Sequence, residues 1–299
     1  MRYSLVSRFK GSVLGAILGE NIALRGKGSQ NEILHWSQIS ILTAESLITL
    51  GKFDANDWRD RQRKEGVQLK NDVLKILATL PVAFFFHEDL IKLRHNLLLA
   101  AELWQDNPMV RDGMLAVGYA LAQSLMEKLI PRTLIPQIIS FLGETPTNLP
   151  QELLKVNHFL ESGTGLARVQ TELNRADKPS YAIAMAFYCF LSSGEDFRLS
   201  VLRASQNGNV CQSISALTGA LSGAYNSTIG IPVIWQVLLE QEQANSYHML
   251  QLVDALVAVW SGVYDLATSF SEFRQEKCAI GQGFSTTQAI AAPRVIRLR

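Results

Sequence analysis

The sequence contains few cysteines, and their arrangement excludes two common kinds of site. Cys189, Cys211 and Cys278 are the three cysteines among 299 residues; they lie far apart and form no Cys-x-x-Cys pair. An odd, scattered set provides neither a disulfide framework nor the ligand spacing of a zinc site. We therefore expect the protein to occupy a reducing compartment, the cytoplasm.

An excess of charge of either sign is also missing. Lys and Arg number 28 against 27 Asp and Glu, a formal net charge of +1. Because electrostatic attraction to nucleic acid or to an anionic membrane needs a basic excess, we expect neither as a partner. The uncharged run 209–239 is long enough to span a bilayer, but its Gln212, Asn226 and Pro232 favour a buried helix followed by a turn.

The sequence lacks the alternating apolar and polar pattern of β-strands. Apolar residues instead recur every three or four positions, which predicts an all-α fold, a compact multi-helix bundle. No linker rich in Pro, Gly or Ser divides the chain, so we expect one helical domain over 1–275 and a tail, 276–299, outside the core. The clearest predicted helices are 38–50, 73–86, 90–104, 113–128, 134–142, 181–191, 196–205 and 250–267.

The most informative stretch is 204–225, which is followed by Gly-Ile-Pro and, a little further on, by Trp235. It contains Asn-Val-Cys-Gln-Ser and then a small-residue segment, Gly-Ala-Leu-Ser-Gly-Ala. Two earlier blocks accompany it: Gly-Ser-Val-Leu-Gly-Ala-Ile-Leu-Gly-Glu over 11–20, and Trp-Ser-Gln-Ile-Ser over 36–40. In content and order these blocks resemble the ADP-ribosylglycohydrolase family, and the resemblance extends over about residues 8–268.

The resemblance implies a helical bundle with a cleft. In that cleft two magnesium ions polarise the ribose of an ADP-ribosyl group while water attacks the glycosidic carbon. Magnesium demands hard oxygen ligands in a nearly octahedral arrangement, which the family supplies with carboxylates at two motifs. The positions that match those motifs therefore decide whether the chain can hold the metals.

The first motif departs from the family pattern. Where the family has Thr-Asp-Asp after its tryptophan, this chain has Ser37, Gln38 and Ile39, and Glu20 stands where the N-terminal block usually has Asp. A single acid cannot assemble a dinuclear magnesium site.

The second motif departs in the same way. Val210, Cys211, Gln212 and Ser213 stand where the family has Asp-Thr-Asp-Thr. Apolar side chains offer no electron pair to a cation, and neutral amides leave its charge uncompensated. Loss of the metal sites is therefore predicted, with magnesium expected for the family but no metal or other cofactor expected here.

Several residues around these motifs are candidates for ligand binding. His35 and Trp36 could stack on a ligand or exchange protons with it, Asn209 lies in a turn whose amides could face a phosphate, and Cys211 could be a reactive thiol. Each has a structural alternative: a histidine without a catalytic role, a helix N-cap at Asn209 or Ser213, and a buried, inert cysteine.

Two groups of glycines recur every four residues, Gly11, Gly15 and Gly19 in the first block and Gly219 and Gly223 in the third. This spacing puts each group on one face of a helix. We predict that both faces allow a neighbouring helix to come close.

Three functional hypotheses follow. The first is a pseudoenzyme of this family that binds a protein partner, or an ADP-ribose-like nucleotide in the inherited cleft. The alternative is an active hydrolase that removes ADP-ribose from a modified protein or a related glycoside. The third is a purely structural subunit.

Overall fold

A computed structural model describes residues 3–25, 36–66, 69, 71–105, 107–173, 177–242 and 244–263. Within these ranges the chain is helical and forms no strand, which confirms the predicted all-α fold. No helix among these residues combines the length and apolar character that crossing a membrane requires. The α-helices are α1 (Leu5–Arg25), α2 (Trp36–Leu50), α3 (Ala55–Glu65), α4 (Asp72–Ala78), α5 (Leu80–Phe85), α6 (Leu90–Glu102), α7 (Pro108–Leu125), α8 (Pro131–Leu142), α9 (Leu149–Glu161), α10 (Leu166–Glu172), α11 (Lys178–Leu191), α12 (Phe197–Ser205), α13 (Cys211–Asn226), α14 (Val233–Glu242) and α15 (Ala244–Trp260).

One predicted helix is divided in two. The apolar pattern predicts a single helix over 73–86, whereas the structure has α4 and α5 with a break at Thr79. Pro81 lies in the first turn of α5 and has no amide hydrogen to donate to the preceding turn, so α4 cannot continue through it. The Thr79 hydroxyl instead donates a 2.8 Å hydrogen bond to the Ile76 carbonyl.

The centre of the fold is the contact between α1 and α13, which run antiparallel. A Cβ atom added to Gly15 would lie 2.0 Å from the Gly219 carbonyl oxygen, and one added to Gly11 would lie 2.3 Å from that of Gly223. At Gly19 the same atom would lie 2.0 Å from the Ser215 oxygen. The two backbones therefore touch along three turns, as the glycine spacing predicts.

The other helices enclose this pair. α11 and α12 pack on α13, while α2 and α15 pack on each other and α15 also packs on α1. At the N-terminal end of α1 the buried Arg8 guanidinium donates hydrogen bonds of 3.0 and 2.5 Å to the carbonyls of Ser124 and Leu125. These bonds join the N-terminal end of α1 to the end of α7.

Candidate functional site

Three of the residues singled out in the sequence meet where α1, α2 and α13 come together. The indole Nε1 of Trp36, the first residue of α2, donates a 2.6 Å hydrogen bond to Oε2 of Glu20. The Gln212 amide nitrogen, in the first turn of α13, donates a 3.4 Å hydrogen bond to Oε1 of the same carboxylate. Trp36 is fully buried and Glu20 is 8% exposed, so water screens this carboxylate poorly.

The other predicted metal positions add no oxygen ligand of carboxylate type. Ile39 is completely buried in the core, and Val210 is half-buried at the end of a 3₁₀ turn, Gly208–Val210. Ser37 and Gln38 follow Trp36 on α2 and are half-buried.

The start of α13 differs from the prediction. We expected Asn209 or Ser213 as the N-cap, but the N-cap is Val210, whose apolar side chain makes no capping hydrogen bond. The 3₁₀ turn leads directly into α13, and the Cys211 amide donates to the Gly208 carbonyl. The capping position is thus taken by an apolar residue, and Ser213 lies within the first turn.

The structure describes the side chains of two of the four candidate ligand-binding residues, Cys211 and Trp36. Cys211 is 1% exposed and its Sγ lies 4.0 Å from the Ala23 carbonyl oxygen, so the buried alternative is the one that the structure favours. Trp36 turns its only hydrogen-bond donor towards Glu20. His35 and the side chain of Asn209 lie outside the described residues.

The side chains at these positions do not fit the dinuclear magnesium site that the resemblance implies. Glu20 is the single carboxylate among the matched motif positions, and its two oxygens accept hydrogen bonds from Trp36 and Gln212, whereas two magnesium ions need several carboxylate ligands. Ile39 and Val210 have no lone pair to offer. Across the described ranges, no group of three or more His, Cys, Asp or Glu side chains is placed to hold a metal ion.

A cleft of about 350 Å³ opens where the beginnings of α4, α11 and α13 meet. Its lining comes from the beginnings of three helices: Asn71, Asp72 and Val73 at α4, Lys178, Pro179 and Ala182 at α11, and Val210 and Ser213 at α13.

Two polar groups in this cleft are already engaged. The Asn71 amide nitrogen donates a 3.4 Å hydrogen bond to the Ser213 hydroxyl oxygen. The Asp72 carboxylate accepts hydrogen bonds from Lys75 at 2.8 Å and from Asn107 at 3.1 Å, so its charge is partly neutralised.

Lys178 gives the cleft its positive charge. It is exposed, and within the described part of the chain its ammonium forms no ion pair. The beginning of α13 also carries the partial positive charge of a helix N-terminus, whereas at α11 the Asp177 carboxylate accepts a hydrogen bond from the Ser180 amide and offsets that charge. The cleft is therefore suited to an anionic group. Sequence reasoning missed Asn71 and Lys178, because only the fold brings these distant segments together.

Comparison with known proteins agrees with this architecture. A sequence model described as ADP-ribosylglycohydrolase matches residues 55–266. A solved structure described as "ADP-ribosylglycohydrolase-related protein complex" superposes with a TM-score of 0.62, covering 86% of this chain and 99% of that chain. The two sequences are 18% identical, so this likeness concerns the fold alone. A search of curated proteins found no match.

Proposed function

Since the chain belongs to the ADP-ribosylglycohydrolase family, we propose that it is a member that acts by binding and has lost metal-dependent hydrolysis. The observation that carries this proposal is the Glu20 carboxylate, which accepts hydrogen bonds from Trp36 and Gln212. A carboxylate used in this way holds two side chains together.

The electrostatics support the proposal. Two adjacent divalent cations need several carboxylates to offset their charge and to replace the water that they lose. Here Ile39 and Val210 stand at two of the positions that the family fills with Asp, and Gln38 and Gln212 stand at the other two. A single buried acid would leave most of the cationic charge unbalanced.

The form of the proposal that we favour is binding to a protein partner. The motif positions that would hold the metals and orient the ribose carry other residues than in the family, whereas the helical scaffold is retained over most of the chain. The similar solved structure is described as a protein complex, which for that protein indicates an assembly. We extend this role to the present chain as part of the proposal.

The cleft at the beginnings of α4, α11 and α13 supports a second form, binding of an ADP-ribose-like nucleotide. Its volume of about 350 Å³ lies at the lower end of the range of ligand pockets, roughly 300–1,000 Å³. Lys178 and the beginning of α13 would face the diphosphate, and Ser213 and Asn71 could bind hydroxyl groups.

Calorimetric titration with ADP-ribose, with and without magnesium, tests both forms when combined with a hydrolysis assay on an ADP-ribosylated protein. Absence of turnover and of any magnesium effect supports loss of hydrolysis. Tight magnesium-dependent binding with turnover would overturn the proposal in favour of the alternative, an active hydrolase acting on a modified protein or a related glycoside.

Two lysine variants separate the nucleotide form from the protein-partner form. Lys178→Ala removes the unpaired charge from the cleft, and Lys92→Ala removes a lysine that is 69% exposed at the start of α6. Metal-independent binding of ADP-ribose that is lost only in Lys178→Ala supports the nucleotide form. Absence of binding in the unmodified protein leaves the protein-partner form.

A further inference from the structure

A second cavity, of about 650 Å³, lies where α8, α9, α11 and α12 meet, and its lining includes Arg132, Arg203 and Tyr188. We propose that this cavity binds a small organic phosphate ester, with the phosphate group against the two arginines. The proposal is independent of the function proposed above, because it concerns a different part of the molecule.

The cavity is separate from the cleft that contains Lys178. The beginning of α11 contributes Lys178 and Ala182 to the cleft, whereas the end of the same helix contributes Tyr188 and Ser192 to the cavity. From Lys178 to Tyr188 the helix rises about 15 Å. The lining of the cavity includes no residue of the three blocks on which the family resemblance rests, so the resemblance assigns it no ligand.

Arg203, on α12, is oriented by one part of its guanidinium group. Its Nη1 donates hydrogen bonds to the Ser192 hydroxyl at 2.7 Å and to the Ser192 carbonyl at 3.4 Å. Within the described part of the chain its Nε and Nη2 make no hydrogen bond, and no acid forms an ion pair with it. A guanidinium that is held in place and still has free donors is preorganised to bind an anion.

Arg132 also lacks an anionic partner. It is exposed, and among the described residues its guanidinium makes neither an ion pair nor a hydrogen bond. It lies in the first turn of α8, which carries no acid. Because the partial positive charge of a helix N-terminus disfavours a cation at that place, a bound anion would stabilise this arginine.

The backbone carbonyls around the cavity do not neutralise these cations, because most of them are already engaged. The carbonyls of 158–160, at the end of α9, accept hydrogen bonds from the amides of 162–164. The Thr164 carbonyl accepts a 2.6 Å hydrogen bond from the Tyr188 hydroxyl. The free hydrogen-bonding capacity of the lining therefore consists mainly of guanidinium N–H groups, which select a ligand that accepts several hydrogen bonds.

The charge of the lining also favours an anion. Among the described lining residues Glu161 is the only acid, and it accepts a 2.7 Å hydrogen bond from Asn157 without forming an ion pair with either arginine. Two arginines and one glutamate leave a net charge of +1. A phosphate monoester carries close to two negative charges at neutral pH, and its oxygens match the planar fork of arginine. It is therefore favoured over a carboxylate.

The rest of the cavity suits an organic group attached to the phosphate. Its volume of about 650 Å³ lies within the range of ligand pockets, roughly 300–1,000 Å³. Phe159, Leu191 and Tyr188 add apolar surface, and Asn157 adds an amide. These groups would contact the carbon skeleton and the hydroxyl groups of a small ring such as a sugar.

Calorimetric titration of the full chain with glucose 6-phosphate, glucose and inorganic phosphate, at low ionic strength and in a phosphate-free buffer, tests the proposal. We expect the ester to bind about tenfold more tightly than inorganic phosphate, and glucose not to bind. Absence of ester binding at millimolar concentration, or equal binding of glucose, would overturn the proposal. Equal affinity for inorganic phosphate would overturn it in favour of a site for the free ion.

Arginine variants locate the binding site. Arg132→Gln should weaken binding of glucose 6-phosphate about ten- to hundredfold, the effect of losing hydrogen bonds to a charged group. This exposed side chain makes no hydrogen bond or ion pair in the described structure, so the variant should fold. Arg198→Gln is the matched control, because Arg198 is exposed on α12 and lies outside the lining. Equal affinities of the two variants would contradict the proposal.

Two further variants separate this cavity from the cleft and test the sign of the charge. Lys178→Ala should leave binding of the ester unchanged; a loss in this variant that is absent in Arg132→Gln would place the ester in the cleft and overturn the proposal. Glu161→Gln keeps an oxygen that can accept from Asn157 but removes the negative charge, so the ester should bind about threefold more tightly. Weaker binding would show that the cavity selects a cationic group.

Discussion

The indole N–H of Trp36 donates a 2.6 Å hydrogen bond to the Glu20 carboxylate, and both side chains are buried. This contact ties α2 to α1 at the place where the family resemblance implies metal ions. With Gln212 it forms a cluster that joins three helices through hydrogen bonds. The energetic value of this cluster can be measured directly.

Trp36→Phe should destabilise the protein more than Trp58→Phe. Both tryptophans are fully buried, so the two substitutions delete similar volumes, but among the residues that the structure describes Trp58 Nε1 has no hydrogen-bond partner. We expect an additional loss of about 1.5–3 kcal/mol for Trp36→Phe, the value of a hydrogen bond to a charged group. Urea unfolding measures the difference, and equal losses would show that the Glu20 contact contributes little.

Gly15→Ala should force α1 and α13 apart. The added methyl group would lie 2.0 Å from the Gly219 carbonyl oxygen, which is backbone and cannot rotate away. We expect a loss of about 1–3 kcal/mol or more in unfolding free energy. Gly194→Ala is the control, because its Cβ atom would meet only the Phe190 oxygen at 3.7 Å. A Gly15→Ala protein as stable as the control would contradict the close packing.

His87 should make the protein less stable in mild acid. Burial, together with the nearby Arg8, lowers the pKa of His87 from 6.5 to about 4, although the hydrogen bond to the Phe84 carbonyl opposes the shift. Between these two values the unfolded chain binds more protons than the folded chain. The contribution of neutral His87 to the free energy of unfolding is therefore complete above about pH 6.5. As the pH falls towards 4 this contribution is lost, and the free energy of unfolding decreases by roughly 3 kcal/mol in all.

The His87→Asn variant isolates this effect. Its amide can still donate to the Phe84 carbonyl, but it does not titrate. Unfolding free energies measured from pH 7.5 to 4.5 should converge for the two proteins as the pH falls. Parallel curves would show that His87 does not remain neutral in the folded protein.

Two of the three thiols should resist alkylation in the folded protein. Burial raises the pKa of Cys189 to about 12, and Cys211 is 1% exposed. Because the thiolate is the reactive form, iodoacetamide should modify both only after unfolding, as followed by mass spectrometry. Rapid modification of Cys211 in the native state would instead support the reactive thiol considered from its sequence position.

The fold was largely predictable from the sequence, and the exceptions have local causes. Apolar spacing located α2, α6 and α11 to within a few residues. The same spacing does not show that Pro81 ends one helix and begins another. It also does not identify Val210 as the N-cap of α13, because that depends on the 3₁₀ turn before it.

The sequence alone determined the helical class, the two glycine faces and the identity of the residues at the family's motif positions, since these depend on periodicity and on matching short blocks. Only the tertiary structure decided that Glu20 bonds to Trp36 and Gln212, and that Lys178 shares a cleft with Ser213. Such contacts depend on how helices distant in sequence are oriented when α1 meets α13. Spacing along one chain segment carries no information about that orientation.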